Sequence, residues 1–172
     1  GRLALTREGL CAFEYSAEWL SSGFSISPFE LPLRSGVFIA KPRPFEGGFG
    51  VFDDCLPDGW GLLILDRYLQ QKGINPRTLT LLDRLALVGS TGRGALEFRP
   101  DNSVVTRQDF ADFEKLALEA EKILASDDYM GEGIEEFQDR GGSPGGARPK
   151  IFVRYNDKEW LVKFRAKRDS QS

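Results

Sequence analysis

The apolar positions of the chain change period several times, and each change marks an element. Leu3 and Leu5 lie two apart, as do Cys11, Phe13 and Tyr15 after the turn-like Arg7-Glu8-Gly9, the signature of strands with one buried face. These segments predict an antiparallel meander. Pro28, Pro32 and the Ser-rich stretch between Ser21 and Ser27 interrupt regular structure before Val37-Phe38-Ile39. From Phe49 the period becomes helical, with Val51, Phe52, Cys55 and Leu56 at three- and four-residue steps until Pro57. Asp58 is then an N-cap for a helix through Trp60, Leu63, Ile64 and Tyr68, which Gly73 ends. Asn75-Pro76 restarts the chain, and Thr78 to Val88 reads as another helix.

Beyond Gly89, Gly92 and Gly94 the pattern predicts a strand over Ala95-Leu96-Glu97-Phe98. A helix from Thr106 follows, with Phe110, Phe113, Leu116, Ala117 and Ala120 as its apolar stripe. Residues 127 to 139 are acidic and read as irregular. Last comes a hairpin: Ile151, Val153 and Tyr155 share one face, Asn156-Asp157 is the turn, and Trp160, Val162 and Phe164 alternate on the returning strand. The expected fold class is α+β, with residues 1–130 as a small antiparallel sheet with several helices. Phe13, Trp19, Phe52, Leu63, Leu87 and Phe98 are expected in one apolar core.

Composition narrows the chemistry. The 172-residue chain has enough apolar sequence for one ordinary core or two small lobes. Its apolar runs fall far short of the roughly 20 residues of a membrane helix, and no signal peptide opens it, which points to a cytoplasmic protein. A formal net charge of −3 provides no broad positive field, so direct nucleic-acid binding is not expected. Cys11 and Cys55 belong to no metal-ligand spacing and read as small buried hydrophobes. With no histidine in the chain, triads of the Ser/His/Asp and Cys/His kinds are excluded. The first residue is not Met, and Gly1 to Leu5 reads as the second half of a hairpin, so the chain is expected to be a fragment.

The segment from Arg140 to Lys150 carries the candidate chemistry. Four glycines in six residues, Gly141, Gly142, Gly145 and Gly146, let backbone N–H groups turn toward phosphate oxygens that a side chain would block. No Gly-Lys-Ser/Thr follows, and the loop leads into a strand, which is the protein-kinase order of loop, strand, turn and strand. A flexible glycine link is the plain alternative. Lys163 stands one hairpin beyond the loop, on the face opposite Trp160, Val162 and Phe164, where a kinase holds nucleotide phosphates with a lysine. Its alternative is a solvated strand lysine. Lys150, at the start of the first strand, is expected to reach solvent or the loop's outer surface. Asp53, Asp54 and Asp58 are read as helix-capping carboxylates and not as a metal site.

Several segments resemble the HipA family of bacterial toxin kinases. Phe13 to Leu20 followed by Leu31-Pro32-Leu33 resembles the family's opening sheet segment. Phe52-Asp53-Asp54-Cys55-Leu56-Pro57-Asp58-Gly59-Trp60-Gly61 is similar to its FxxLLPDxxG junction, with Cys55 in place of the first leucine. Leu85 to Gly89 with Gly94 to Phe98 resembles its VGxxxxGAL turn, Ser143 to Lys150 its SxxGAxPK loop, and Glu159 to Phe164 the strand bearing its ATP lysine. The resemblance implies that residues 131–172 are the glycine loop and first strands of a kinase-like N-lobe. Gly145, Gly146, Ala147 and Lys163 would then bind ATP, and Ser143 would be a regulatory phosphorylation site. It implies Mg2+ and ATP as cofactors of the parent enzyme, a helix-turn-helix antitoxin as partner, and an aminoacyl-tRNA synthetase or other translation protein as substrate. The family's catalytic aspartate and its metal-binding asparagine and aspartate have no counterpart before Ser172, so no catalytic residue is expected in this chain and the fragment is expected to be inactive. Two other readings stay open: a stand-alone interaction or antitoxin module, and a catalytically dead nucleotide sensor.

Overall fold

The computed structural model describes residues 1–92, 94–103, 112–141 and 145–165. Strands β1 (Arg2–Leu5) and β2 (Cys11–Glu14) pair antiparallel with Leu3 opposite Phe13, and β3 (Val37–Ile39) takes the other edge of β2 with Phe38 opposite Phe13. The period-two pattern does what it predicts: Cys11, Phe13 and Tyr15 are all buried. The Tyr15 hydroxyl spends its hydrogen bonds on the long excursion between β2 and β3, donating to the Leu31 carbonyl (2.6 Å) and accepting from the Ile26 N–H (3.1 Å). A buried phenol therefore holds an otherwise irregular loop against the sheet.

Between the first two breaks lies a short helix that the pattern does not foretell, α1 (Ala17–Ser22), with Ser16 accepting the Trp19 N–H as its cap. The Trp19 indole donates to the Phe24 carbonyl (2.9 Å) and meets the Phe24 ring edge-on at 5.3 Å. Trp19 is therefore a surface brace for its own loop, 37% exposed, and not the core residue expected from its hydrophobicity. Helices α2 (Gly50–Asp53), α3 (Gly59–Gln71) and α4 (Leu81–Val88) follow, with a 3-10 turn at Pro76–Thr78 before α4. Thr80 and Asp83 form a reciprocal capping box at the start of α4. Phe49, Phe52 and Leu85 close over the sheet, and Phe13 meets Phe52 at 5.5 Å.

A second core forms around α3. Trp60 and Ile64 pack with Leu116, Ala120 and Ile123 of α5 (Phe113–Ala125), Ile134 and Phe137 of α6 (Gly133–Gly141), and Ile151, Val153 and Phe164 of the last hairpin. That hairpin is β4 (Lys150–Tyr155) and β5 (Lys158–Lys163), a sheet of its own. The expected single core is therefore two. Phe13 and Phe52 belong to the first, with Phe98 half-buried against it, while Leu63 flanks the second and Leu87 is only half-buried. The physical reason is α3 itself, whose Trp60 and Ile64 stripe turns away from the sheet. α3 and α5, which precede the expected boundary at residue 130, share a core with the hairpin.

Two further expectations are corrected. Ala95 to Phe98 forms no strand; the Phe98 N–H donates to the Gly89 carbonyl (3.0 Å), which ties the segment to the end of α4 as a loop. The acidic stretch expected to be irregular contains α6, because Ile134 and Phe137 at a three-residue step suffice to bury one face while its carboxylates stay outside. The predicted helix start from Thr106 through Phe110 lies outside the described residues, and α5 begins at Phe113 with Asp112 capping the Glu114 and Lys115 N–H groups. Among the described residues no helix is long and apolar enough to cross a membrane.

α3 and α5 are also joined through a buried cation. Arg67, 3% exposed, donates from its two terminal nitrogens to the carbonyls of Ile123 (2.7 Å) and Ser126 (2.9 Å) at the C-terminal end of α5. Burial lowers its pKa, while Asp127 and Asp128 act in the opposite direction.

Trp60 anchors the second core, 2% exposed and edge-to-face with Phe137 at 5.0 Å. Trp60→Ala is expected to lower stability by about 3–5 kcal/mol, measured as a shift of the urea midpoint.

Candidate functional site

The β4–β5 hairpin turns at Asn156 and Asp157, both in the left-handed region with φ of 50° and 57°, as a two-residue turn of the primed type requires. Its register sets Ile151 opposite Val162 and Val153 opposite Trp160 on the core side. Phe152 opposite Leu161 and Lys150 opposite Lys163 share the other face. The face assignment read from the alternation holds, and it has a consequence the alternation alone did not display. Two cations stand directly across from one another at the loop end of the hairpin.

Their environments are the reverse of what strand position implied. Lys150 does not reach solvent: it is 5% exposed, and its ammonium turns back to donate to the carbonyls of Gly145 and, at 3.2 Å, Gly146. Burial lowers its pKa first, with the positive charges of Lys163 and Arg148 adding to the effect and Asp58 partly offsetting it. The side chain of Lys163 is exposed and makes no hydrogen bond or ion pair to any described residue. The difference arises because the loop folds over the β4 end and leaves the β5 end open.

The loop residues Gly145, Gly146 and Ala147 are exposed, while Pro149 beneath them is fully buried. Gly146 has φ +93°, a conformation that favours glycine, and a Cβ there would lie 3.3 Å from the Lys150 Nζ. Ser143 lies outside the described residues.

Both polar groups of Gly146 are engaged by the start of α3. Its N–H donates to Asp58 Oδ1 (2.7 Å), and its carbonyl accepts from the Trp60 N–H (3.1 Å). Asp58 does occupy the N-cap position of α3, as expected, but its carboxylate makes no cap bond to its own helix. It is turned across the chain to the loop. Gly59 makes this approach possible: at φ +44°, a Cβ on it would stand 2.6 Å from the Gly146 carbonyl carbon and 2.8 Å from the Ala147 nitrogen. Pairing across 88 positions is invisible to local pattern, yet one signal existed. A glycine as first helical residue costs about 1 kcal/mol relative to alanine and calls for a reason such as close backbone approach.

The other two aspartates do not join this contact. Asp53 sits in α2 with its pKa raised by burial and then by the charges of Asp54 and Glu46, and Asp54 is the C-cap of α2. Among the described residues no group of three metal-ligating side chains comes together.

The donor set suits a polyanion only in part. Lys163 offers an ammonium, and the glycine backbone is open to approach, but the Gly146 N–H is already bonded to a carboxylate. Fold and site together define an α+β protein in which a sheet-and-helix unit delivers the start of one helix onto a glycine loop and a basic hairpin. The model of the HipA N-terminal domain matches residues 1–99, and the chain belongs to that family. The match takes in Asp58 and Gly59 and ends before the loop. No curated protein and no solved structure matches the chain.

Two outcomes are expected. Gly59→Ala combines a disfavoured φ with backbone overlap and is expected to cost about 1–3 kcal/mol, with the loss checked by urea denaturation and by increased hydrogen exchange in the loop. For Lys150, the folded pKa lies below the ordinary 10.5. At lower pH the group is protonated in both states and its contribution is constant. As pH rises from the lowered value to 10.5 the unfolded chain binds more protons, so the fold gains stability. The stability difference between wild type and Lys150→Met is therefore expected to shift in favour of wild type across that window, in denaturation curves taken at stepped pH.

Proposed function

We propose that the chain is the N-terminal, ATP-gripping part of a HipA-like toxin serine/threonine protein kinase. The observation that carries this reading is the juxtaposition of an exposed Lys163 ammonium with a glycine loop held over the neighbouring strand by Lys150. Kinases need this combination, since phosphoryl transfer is catalysed by positioning and charge, with a loop backbone and a strand lysine holding the nucleotide phosphates. In this reading Gly145, Gly146 and Ala147 offer backbone N–H groups, Lys163 supplies the point charge, and Lys150 shapes the loop instead of touching the nucleotide. Bound Mg-ATP would supply the transferable phosphoryl group. The residues from Lys150 onward are then the first strands of a kinase N-lobe.

The same reading makes Ser143 a switch. A phosphoserine adds roughly −1.5 to −2 charges beside a loop whose N–H groups the nucleotide must use, so phosphorylation is expected to weaken ATP binding. Family membership supports a toxin-antitoxin context, with a helix-turn-helix antitoxin as partner and a translation protein such as an aminoacyl-tRNA synthetase as substrate.

A second reading, an interaction module without nucleotide chemistry, is favoured by one observation. Phe29 is fully exposed, and Val37 and Ile39 are each 59% exposed on the edge strand β3.

Calorimetric titration with Mg-ATP separates the two. In the full-length protein, wild type is expected to bind, Lys163→Ala to lose binding, and Lys150→Ala to weaken it less. Equal binding by wild type and Lys163→Ala would remove the nucleotide role of Lys163.

A further inference from the structure

We infer that Asp58 is an internal competitor for the nucleotide: its carboxylate occupies the loop N–H that a phosphate oxygen would use, and it holds the loop in the nucleotide-free arrangement. The inference rests on the proposed nucleotide role of the loop and adds to it a regulating residue from the sheet-and-helix unit.

Four features support it. The Gly146 N–H, in a residue with φ +93°, ends on Asp58 Oδ1 at 2.7 Å. An aspartate at an N-cap ordinarily accepts from the second or third N–H of its own helix, and Asp58 does not. Its charge is therefore diverted from a local role to the loop. Gly59 brings the two backbones to a separation that no other residue permits, so the contact is built into the fold of both segments. Finally, Lys150 and Trp60 hold the Gly146 carbonyl from the other side, so release of Asp58 alone frees the N–H without dismantling the loop.

An arriving phosphate meets Asp58 as a rival acceptor and as a like charge. Both effects oppose binding, and both vanish when the carboxylate becomes an amide. Asp58 is thus a positioning residue for the loop. It links the sheet-and-helix unit to the loop: any partner that shifts the start of α3 alters how firmly the N–H is occupied.

The test uses Asp58→Asn, which keeps the side-chain shape and a good N-cap residue. Two measurements on the 172-residue chain are combined: hydrogen exchange of the Gly146 amide by NMR, and calorimetric affinity for Mg-ATP. Asp58→Asn is expected to speed Gly146 exchange and to tighten Mg-ATP binding by roughly threefold to tenfold, the scale of one charge-assisted hydrogen bond reduced by solvent exposure. Lys163→Ala in the same background is expected to abolish the gain. If wild type binds and Asp58→Asn binds equally or more weakly, the competition is overturned while the nucleotide reading stands. If neither protein binds Mg-ATP, the nucleotide reading fails and the competition fails with it. Unchanged Gly146 exchange in Asp58→Asn overturns the latch whatever the affinities are.

Discussion

Gly146 fastens the glycine loop to the start of α3. Its amide is bound by a carboxylate, and its carbonyl by a helix N–H and an ammonium, so one residue is gripped by the start of α3 and by β4. Such saturation is unusual for an exposed loop, whose backbone groups ordinarily turn to water. It depends on glycine at two positions far apart in sequence. Gly146 supplies the positive φ, and Gly59 supplies the missing Cβ that would otherwise keep α3 away. Gly145 and Gly146 are thereby fastened to α3 and β4, and the face of the hairpin carrying Lys163 is exposed beside them.

The two cores explain why this contact has a fixed geometry. The first surrounds the small sheet with aromatic rings, and the second clusters around Trp60 and Phe137. The short chain between α2 and α3, from Asp54 to Asp58, passes from one to the other.

Much of this architecture was legible in the sequence, and the parts that were not have identifiable causes. Strands β1, β2, β4 and β5 declared themselves because period-two burial is a local property, and the type of turn at Asn156-Asp157 follows from residue chemistry alone. α3 and α4 were legible from their helical periodicity, though the Thr80 cap of α4 was not named and the Asp58 carboxylate makes no cap bond to α3. α6 was hidden because two apolar residues in an acidic run fall below what periodicity can register. The surface role of Trp19 was hidden because an indole that hydrogen-bonds a neighbouring loop has the same letter as one in a core. At the candidate site, the glycine loop and the face of Lys163 were readable from spacing. The inverted environments of Lys150 and Lys163 were not, since they depend on which strand end the loop covers. The redirected carboxylate of Asp58 was not readable either, since its partner lies on another element.

The place of α3 in the second core also has a consequence during synthesis. Trp60 and Ile64 find their partners only in Leu116, Ile134, Ile151 and Phe164 and the residues around them, so the apolar stripe of α3 is made long before the surfaces that cover it. At ribosomal rates of about 5–20 residues per second, the interval until the final strand emerges is on the order of 5 to 20 s. Throughout that time the first core can close by itself while the second presents bare aromatic surface. A nascent chain in this condition is a natural client for a chaperone that reads exposed hydrophobic helices.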